Sequence, residues 1–346
     1  MHKMKVAIIG ATGYGGVELM RILQQHPAVS VHSFHSSSQY GKPIRESYPH
    51  LQAEEMLQAI DAEKLANDVE LVFTATPSGV SAKLVPELLE KGLKVIDLSG
   101  DFRLKNRSVY EKWYGKAAAD DRWLQEAVYG LTEWLDDDLS QARLISNPGC
   151  YPTAALLGLA PLVKNGLIDE KSIIIDAKSG ASGAGRNPSL ATHFSELNDN
   201  LKIYKVNKHQ HIPEIEQVLS SWSTNVQTVT FSAHLVPMTR GILATMYADA
   251  ATGVTTDQLL ALYRDSYNGR YFVRIRESGT YPSTKEVYGS NFCDLSVTYD
   301  KRTNRIMVVS VIDNLMKGAA GQAVQNMNVM LGLDEKTGLE LVPVYP

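Results

Sequence analysis

Short apolar runs alternate with amphipathic stretches through the first half of the chain. Residues 6–9 are continuously apolar, as a strand buried on both faces is. Residues 17–25 bring Leu19, Ile22 and Leu23 to one face at helical spacing. Residues 29–34, 71–74, 95–98 and 144–146 read as further strands, and 81–91 as a helix closed by Gly92 with Pro86 inside it. Strands this apolar, alternating with helices, predict a parallel α/β sheet.

The second half has another pattern. Residues 173–177, 226–234, 241–249, 271–276, 291–299 and 305–313 all read as strands, with a polar hairpin turn at 300–304. Strands in succession, with few helices between them, predict an α+β domain built on a mixed or antiparallel sheet. The change falls near residues 147–150, which divides the chain into 1–149 and 150–314. Residues 317–331 are helical again, with Ala320, Ala323, Val324, Met327 and Leu331 on one face and Gly332 as a cap. The expectation is that 315–346 completes the first domain.

Composition narrows the function classes. The chain has 346 residues, enough for two domains that each bury a core. Hydrophobic residues are 44% and charged residues 21%, which excludes a disordered or collagen-like chain. A net charge of −4 gives no reason to expect nucleic acid or an anionic membrane as partner. No window offers the ~20 apolar residues of a membrane helix. Two cysteines, Cys150 and Cys293, argue against a disulfide framework and for a reducing compartment. The run at 6–9 is too short for a signal peptide, so the expected location is cytoplasmic. Asp136-Asp137-Asp138 reads as a solvated loop, and no cysteine or histidine spacing builds a ligand set, so no metal is expected.

Gly10-Ala11-Thr12-Gly13-Tyr14-Gly15-Gly16 follows the first strand and opens the first helix. Glycines there let the backbone turn tightly and approach a pyrophosphate, while the helix N-terminus supplies N–H groups. The spacing departs from strict G-x-G-x-x-G, but its place between strand and helix supports a Rossmann-type dinucleotide-binding domain. An NAD site usually carries an acid after strand two. Here that position reads His35-Ser36-Ser37-Ser38, followed by Lys42 and Arg45. Hydroxyls and cations without an acid favour NADP(H). Thr76 and Ser99 follow the third and fourth strands, at the carboxyl edge where ligands of open α/β sheets bind.

Ser146-Asn147-Pro148-Gly149-Cys150-Tyr151-Pro152-Thr153 leads into a strongly apolar helical run. A cysteine at a helix N-terminus is stabilised as thiolate, and N–H groups there can hold an oxyanion. Cys150 is therefore a candidate nucleophile. Cys293 lies inside an alternating strand and reads as a packing residue.

Five motifs occur in order: the glycine turn, the Ser146–Thr153 octapeptide, Lys-Ser-Gly-Ala-Ser-Gly-Ala-Gly-Arg at 178–186, His-Gln-His-Ile-Pro-Glu-Ile at 209–215 and His-Leu-Val-Pro-Met-Thr-Arg-Gly at 234–241. Together with Asn314-Leu315-Met316-Lys317-Gly318-Ala319 they cover essentially the whole chain. The set resembles the N-acetyl-γ-glutamyl-phosphate reductase family of arginine biosynthesis. Met316 stands where that family often has a small residue. The last motifs separate it from aspartate-semialdehyde dehydrogenase, a cousin in fold and chemistry.

The resemblance implies NADPH-dependent reduction of an acyl phosphate to an aldehyde and inorganic phosphate through a cysteine thioester. Cysteine suits the task because it is intrinsically nucleophilic near neutral pH. Histidine is the natural acid/base, since its pKa of ~6.5 is close to the working range. His211 is the choice from the motif match, with His209 the nearest competitor, and spacing does not separate the two. Glu214 or Glu216 is the candidate to orient the imidazole, with Glu214 the first choice. Arg240, then Arg103, are the candidate anion ligands, with Asn147 and His234 as further substrate residues. The turn holding Ser182 and Gly183 offers N–H groups to cofactor or phosphate, and Asn314 resembles a nicotinamide-side contact. Residues 187–207 are a candidate lid. The family resemblance implies a homodimer or homotetramer. Open alternatives are another acyl phosphate (aspartyl, or carrier-protein-linked aminoadipyl or glutamyl), a sugar-phosphate aldehyde, or a non-catalytic NADP-binding role.

Overall fold

A computed structural model describes residues 3–51, 54–135 and 138–345. The acidic run at 136–138 keeps only Asp138 among them; Asp136 and Asp137 lie outside the described residues. The chain divides into two compact units, Met1–Pro148 with Ala319–Glu340, and Gly149–Gly318 with the residues from Leu341 onward.

In the first unit, β1 (Met4–Ile9), β2 (Val29–His35), β3 (Leu71–Thr74), β4 (Lys94–Asp97), β5 (Val128–Tyr129) and β6 (Leu144–Ser146) form one sheet. Its order is β2-β1-β3-β4-β6-β5, and every pairing is parallel. Helices α1 (Tyr14–Leu23), α2 (Ala62–Asp68), α3 (Ser81–Glu90), α4 (Arg107–Tyr114) and α5 (Asp121–Glu126) make the crossovers. β3 is buried at all four positions because both of its faces are covered. Ala7, Ile9, Val72, Val85, Leu88, Val95, Trp123 and Leu144 belong to one apolar cluster.

The terminal helix, Gly321–Met330, packs into this unit in a way its apolar face only half explains. Ala323, Val324 and Met327 are buried as expected, but so are Gln322, Gln325, Asn326 and Asn328. Buried amides need partners. Gln322 and Asn326 both donate to the carbonyl of Gly130, Thr132 Oγ1 donates to Asn326 Oδ1, and Gln325 donates to Glu133. Gly130 is required there, since a Cβ would lie 2.4 Å from Asn326 Nδ2. The helix also starts differently from expectation. Residues 316–320 form a π-turn, and the first unit takes up the chain at Ala319 rather than 315. The residues from Leu341 return to the second unit, so 315–346 is not one appendage of the first domain.

The second unit is built on a seven-stranded mixed sheet. Its strands are β7 (Ile168–Ser179), β8 (Lys202–Tyr204), β9 (Thr230–Leu235), β10 (Ile242–Ala250), β11 (Val273–Ile275), β12 (Cys293–Asp300) and β13 (Arg305–Ile312). The order is β11-β12-β13-β10-β7-β9-β8, antiparallel except for β11 with β12 and β7 with β9. Ile175, Ala177, Phe231, Ala233, Ala244 and Met246 alternate inward along their strands and are buried. Against that face lies α6 (Cys150–Lys164), with α8 (Ile212–Trp222) and α9 (Thr256–Ser266) beside it. The four-residue helix α7 (Phe194–Leu197) and β8 lie inside the segment 187–207 that reads as a lid in the sequence.

α6 is buried from Tyr151 to Val163. Pro161 inside it lacks the N–H that would reach the carbonyl of Leu157. The Tyr267 hydroxyl donates to that carbonyl instead, and Tyr263 Oη donates to the next one, Gly158, at 2.5 Å. Such partners let a proline sit in a buried helix and fix the direction in which its N-terminus points.

Candidate active site

The glycine turn of the first unit sorts its glycines by purpose. Gly10 has φ +86°, and a Cβ on it would sit 2.3 Å from the carbonyl oxygen of Ala75. A Cβ on Gly16 would sit 2.4 Å from the carbonyl oxygen of Gly10. Those two are required by the fold itself. Gly13 is different. Its nearest neighbour would be 3.5 Å away, and its φ of −82° suits any residue. It caps α1, whose first N–H groups have no helical acceptor. A bare backbone where the protein leaves room fits a phosphate group approaching the helix end.

The rest of that sheet edge is less available than the sequence implies. Ser99 Oγ donates to the buried Asp97 carboxyl at 2.6 Å and accepts from the Asp101 N–H, so its hydroxyl is engaged inside the protein. Burial pushes the Asp97 pKa up, and the hydrogen bonds from Ser99 and Thr74 oppose this. Thr76 Oγ1 shares a hydrogen bond with Ser81. The 77–82 turn is pinned by Asp101, which accepts from the N–H groups of Gly79 and Ala82 and from the Tyr110 hydroxyl. Beyond β2, Ser36 is buried, whereas Ser37, Ser38, Lys42 and Arg45 are exposed. Arg45 forms a surface ion pair with Glu54 at 2.8 Å.

In the second unit the candidate nucleophile opens α6, with Gly149 as its cap. Thr153 Oγ1 donates back to the Gly149 carbonyl at 2.9 Å and closes this first turn. The Gly149 N–H donates to Glu214 Oε1 at 2.8 Å. Glu214 is wholly buried and lies in the first turn of α8, whose cap is His211. One carboxylate therefore lies at two helix N-termini, where negative charge is favoured. It joins the cysteine turn to the histidine turn.

The histidines sit among aromatic rings. The Tyr151 ring, next to Cys150 in sequence, lies 5.3 Å from His209 and 6.0 Å from His211, both edge-on. His209 also meets Tyr204 at 5.6 Å and Phe231 at 5.3 Å. Tyr204 Oη donates to Tyr151 Oη at 3.1 Å. Burial pushes both phenols up, Tyr204 to about 12, with the negative charge of Cys150 adding to the shift in each. Gly318 completes the surroundings: a Cβ there would lie 2.7 Å from Cys150 Cβ.

The first unit matches the semialdehyde dehydrogenase NAD-binding domain over residues 5–142, and the second matches the semialdehyde dehydrogenase dimerisation domain over residues 150–314. An N-acetyl-gamma-glutamyl-phosphate reductase of Geobacillus sp. is 64% identical over 345 residues, covering 99% of this chain and 100% of the relative. One from Bacillus cytotoxicus is 60% identical with the same coverage. The chain belongs to the N-acetyl-γ-glutamyl-phosphate reductases. Its fold is also that of aspartate semialdehyde dehydrogenases. The enzyme II from Vibrio cholerae aligns with a TM-score of 0.72 at 17% identity, covering 96% of this chain and 99% of that one. The Candida albicans enzyme, solved with NADP, aligns at 0.70 and 16%, covering 95% of this chain and 99% of that one.

The structure places several of the residues expected at the site in contacts within the protein. Asn147, read as a substrate residue, is fully buried in the first unit; its amide donates to the Ala319 carbonyl and accepts from Asn326. Arg103, read as a phosphate ligand, is buried and donates to the carbonyls of Asn147 and Leu98, bracing the strand end. His234 lies on β9 in register with Lys178 and opposite in parity to Phe231, so it occupies the face of the sheet away from α6. There its ring pairs with Asp176 at 3.2 Å. The Ser182–Gly183 turn, read as a source of N–H groups for a ligand, uses them internally. The N–H groups of Ala181 and Ser182 donate to Met238 and Thr239, and that of Gly183 to Gly180. Asn314 holds this turn in place, donating to Ser182 Oγ and accepting from the Gly241 N–H.

Arg240 differs from Arg103. Its side chain retains partial exposure, 3.7 Å from the buried Asp313 and over the Tyr288 ring. Cys293 is buried with its sulfur 3.5 Å from Ser310 Oγ, as a packing residue. Sequence reasoning missed Gly318, whose only signal was a glycine in an otherwise bulky motif. It also missed the link from Glu214 to Gly149, two positions 65 residues apart.

Proposed function

We propose that the chain reduces N-acetyl-γ-glutamyl phosphate to N-acetylglutamate γ-semialdehyde and phosphate, with Cys150 as nucleophile and His211 as acid/base, in the cytoplasm and as a homo-oligomer. The observation that carries this reading is the Glu214 bridge, which sets the cap of the cysteine helix against the head of the histidine helix.

Cys150 Sγ, favoured as thiolate by the helix end, attacks the γ-carbonyl carbon. The carbon–oxygen bond to phosphate breaks, and its electron pair leaves with the phosphate. N–H groups of the first turn of α6, among them that of Tyr151, have no helical acceptor and can donate to the oxygen on which charge develops. The glycine turn would hold a nicotinamide cofactor, which would supply the hydride needed to reduce the thioester. His211 gives a proton to the resulting oxyanion and takes it back as the carbon–sulfur bond breaks, which releases aldehyde and thiolate. Arg240 is the cation we assign to the substrate's anionic end. Gly13 and the α1 N-terminus are assigned to the pyrophosphate, and Ser37, Ser38 and Lys42 to a 2′-phosphate, which favours NADPH. Arginine biosynthesis is the setting this reaction implies.

The test is NADP reduction in the reverse direction, with N-acetylglutamate semialdehyde and aspartate semialdehyde compared in the presence and absence of phosphate. Phosphate-dependent turnover of the acetylated aldehyde, abolished by iodoacetamide, supports the reading. Turnover of aspartate semialdehyde alone refutes the substrate, and turnover that survives alkylation refutes the mechanism.

A further inference from the structure

We infer that His209 is a positioning residue: it fixes His211 over the cysteine turn and takes no part in the proton transfer itself. This rests on the reading of His211 as acid/base. Two histidines two residues apart invite the idea that either serves, or that both do. The geometry separates them.

His209 Nδ1 accepts the backbone N–H of His211 at 3.2 Å. With that nitrogen engaged as an acceptor, the neutral ring carries its hydrogen on Nε2. The residue is only 3% exposed, and its ring is enclosed by those of Tyr151, Tyr204, Phe231 and His211, whose centroids lie 4.8–5.6 Å away. The titratable groups around it are Tyr151 beside Cys150 on α6, Tyr204 and Lys205 at the end of β8, and His211 at the head of α8. Burial, reinforced by the positive charge of Lys205, pushes its pKa down to about 3. Lys205 is itself held by Gln210 at 2.7 Å. A group that stays neutral across the working range does not shuttle protons efficiently there. What His209 offers is shape and one acceptor. Its ring spans from the His211 backbone to Tyr151, in the same turn as the nucleophile. Loss of that acceptor leaves the His211 N–H to find another partner, and a shift of about 1 Å in a reacting group can cost about 100-fold in rate.

The experiment compares His209→Asn, His209→Leu and His211→Asn in the full-length enzyme. It measures kcat/KM against pH, NADPH affinity and the pH dependence of Cys150 alkylation. Asparagine can replace the Nδ1 acceptor, whereas leucine cannot. H209N is expected to stay within about fivefold of the parent, with both limbs of its pH profile in place. H209L is expected to fall about 30- to 100-fold in kcat with NADPH affinity unchanged, on the scale of a misplaced catalytic group. H211N is expected to lose the histidine-dependent limb. The proposal is overturned if H209N abolishes that limb, or if H209L keeps full activity. If H211N instead retains activity and the limb, the assignment of His211 as acid/base fails, and the H209N profile then shows whether His209 carries the proton. Should H209L fail to bind NADPH, the H209N profile alone decides.

Discussion

The two units meet the demands of catalysis with different materials. The glycine turn of the first unit is made of backbone: Gly10 and Gly16 let the chain fold on itself, and Gly13 leaves the helix end bare. The neighbouring side chains of Ser99, Asp97 and Thr74 bond to one another, and the Asp101 carboxylate holds the 77–82 turn in place. The cluster of the second unit is made of side chains: Glu214 accepts from the turn that precedes Cys150, and Tyr151, His209 and His211 pack ring against ring. A backbone site is damaged by adding atoms. A side-chain site is damaged by removing or changing them. The two regions should therefore fail in opposite ways under mutation.

The largest effect belongs to the side-chain site. Cys150→Ser is expected to lower turnover by at least ~10³-fold, the scale of losing an activated nucleophile, while NADPH affinity measured by fluorescence titration stays unchanged. Gly318→Ala adds one methyl group against Cys150 and is expected to cost about 100-fold in kcat, again with NADPH binding intact. Comparable loss of NADPH binding in that variant would break the separation drawn here.

The backbone site is sharpened by comparing two of its glycines. Gly16→Ala meets the Gly10 carbonyl and is expected to destabilise the protein by about 1–3 kcal/mol in denaturant titration. Gly13→Ala has room for its methyl group, so its stability should hold while its NADPH Kd rises about tenfold, equivalent to about 1.4 kcal/mol. Equal loss of stability in both would show that Gly13 serves the fold alone.

Acid lability follows next in size. Burial lowers the pKa values of His26 and His35 in the first unit and of His209 in the second. Each binds a proton more readily when unfolded, so the unfolded state gains protons first as pH falls below 6.5. Stability is then complete above pH 6.5 and declines below it, by up to about 1.4 kcal/mol per pH unit for each histidine until its folded pKa is reached. For His209 that window runs from 6.5 down to about 3. Urea titrations at pH 7 and pH 5 should show the loss, and H209N should reduce it. The smallest effect is expected for His234→Ala. This residue lies on the sheet face away from α6 and pairs with Asp176. Steady-state kinetics should change less than about threefold, in keeping with the modest worth of such a partly exposed pair.

Local patterns made much of the fold legible. The apolar run at 6–9, the glycine turn and the helix at 81–90 each follow from neighbours in sequence, and each forms where the periodicity places it. β8 escaped notice because three residues at a sheet edge carry too little periodicity to register. The polar burial of the terminal helix escaped because Gln322, Gln325, Asn326 and Asn328 read as a solvated face until their partners, residues 130–133, 147 and His26 among them, are brought alongside. In the second unit the place of Cys150 at the head of a buried helix was legible from its local setting. The parity of His234 and the engagement of Asn147 and Arg103 were not. Those depend on which face of a strand a side chain takes and on which carbonyls end beside it, both set by contacts far along the chain.

The most direct test of the cysteine assignment is to mix the enzyme with N-acetylglutamate semialdehyde and NADP in the absence of phosphate, then digest it and weigh the peptides. A thioester formed on Cys150 should give a burst of about one NADPH per subunit, since an acyl-enzyme accumulates when its acceptor is missing. The peptide containing Cys150 should carry the N-acetylglutamyl group, and adding phosphate should release it. Steady turnover without phosphate and with no adduct, or an adduct on Cys293 in place of Cys150, would contradict the assignment.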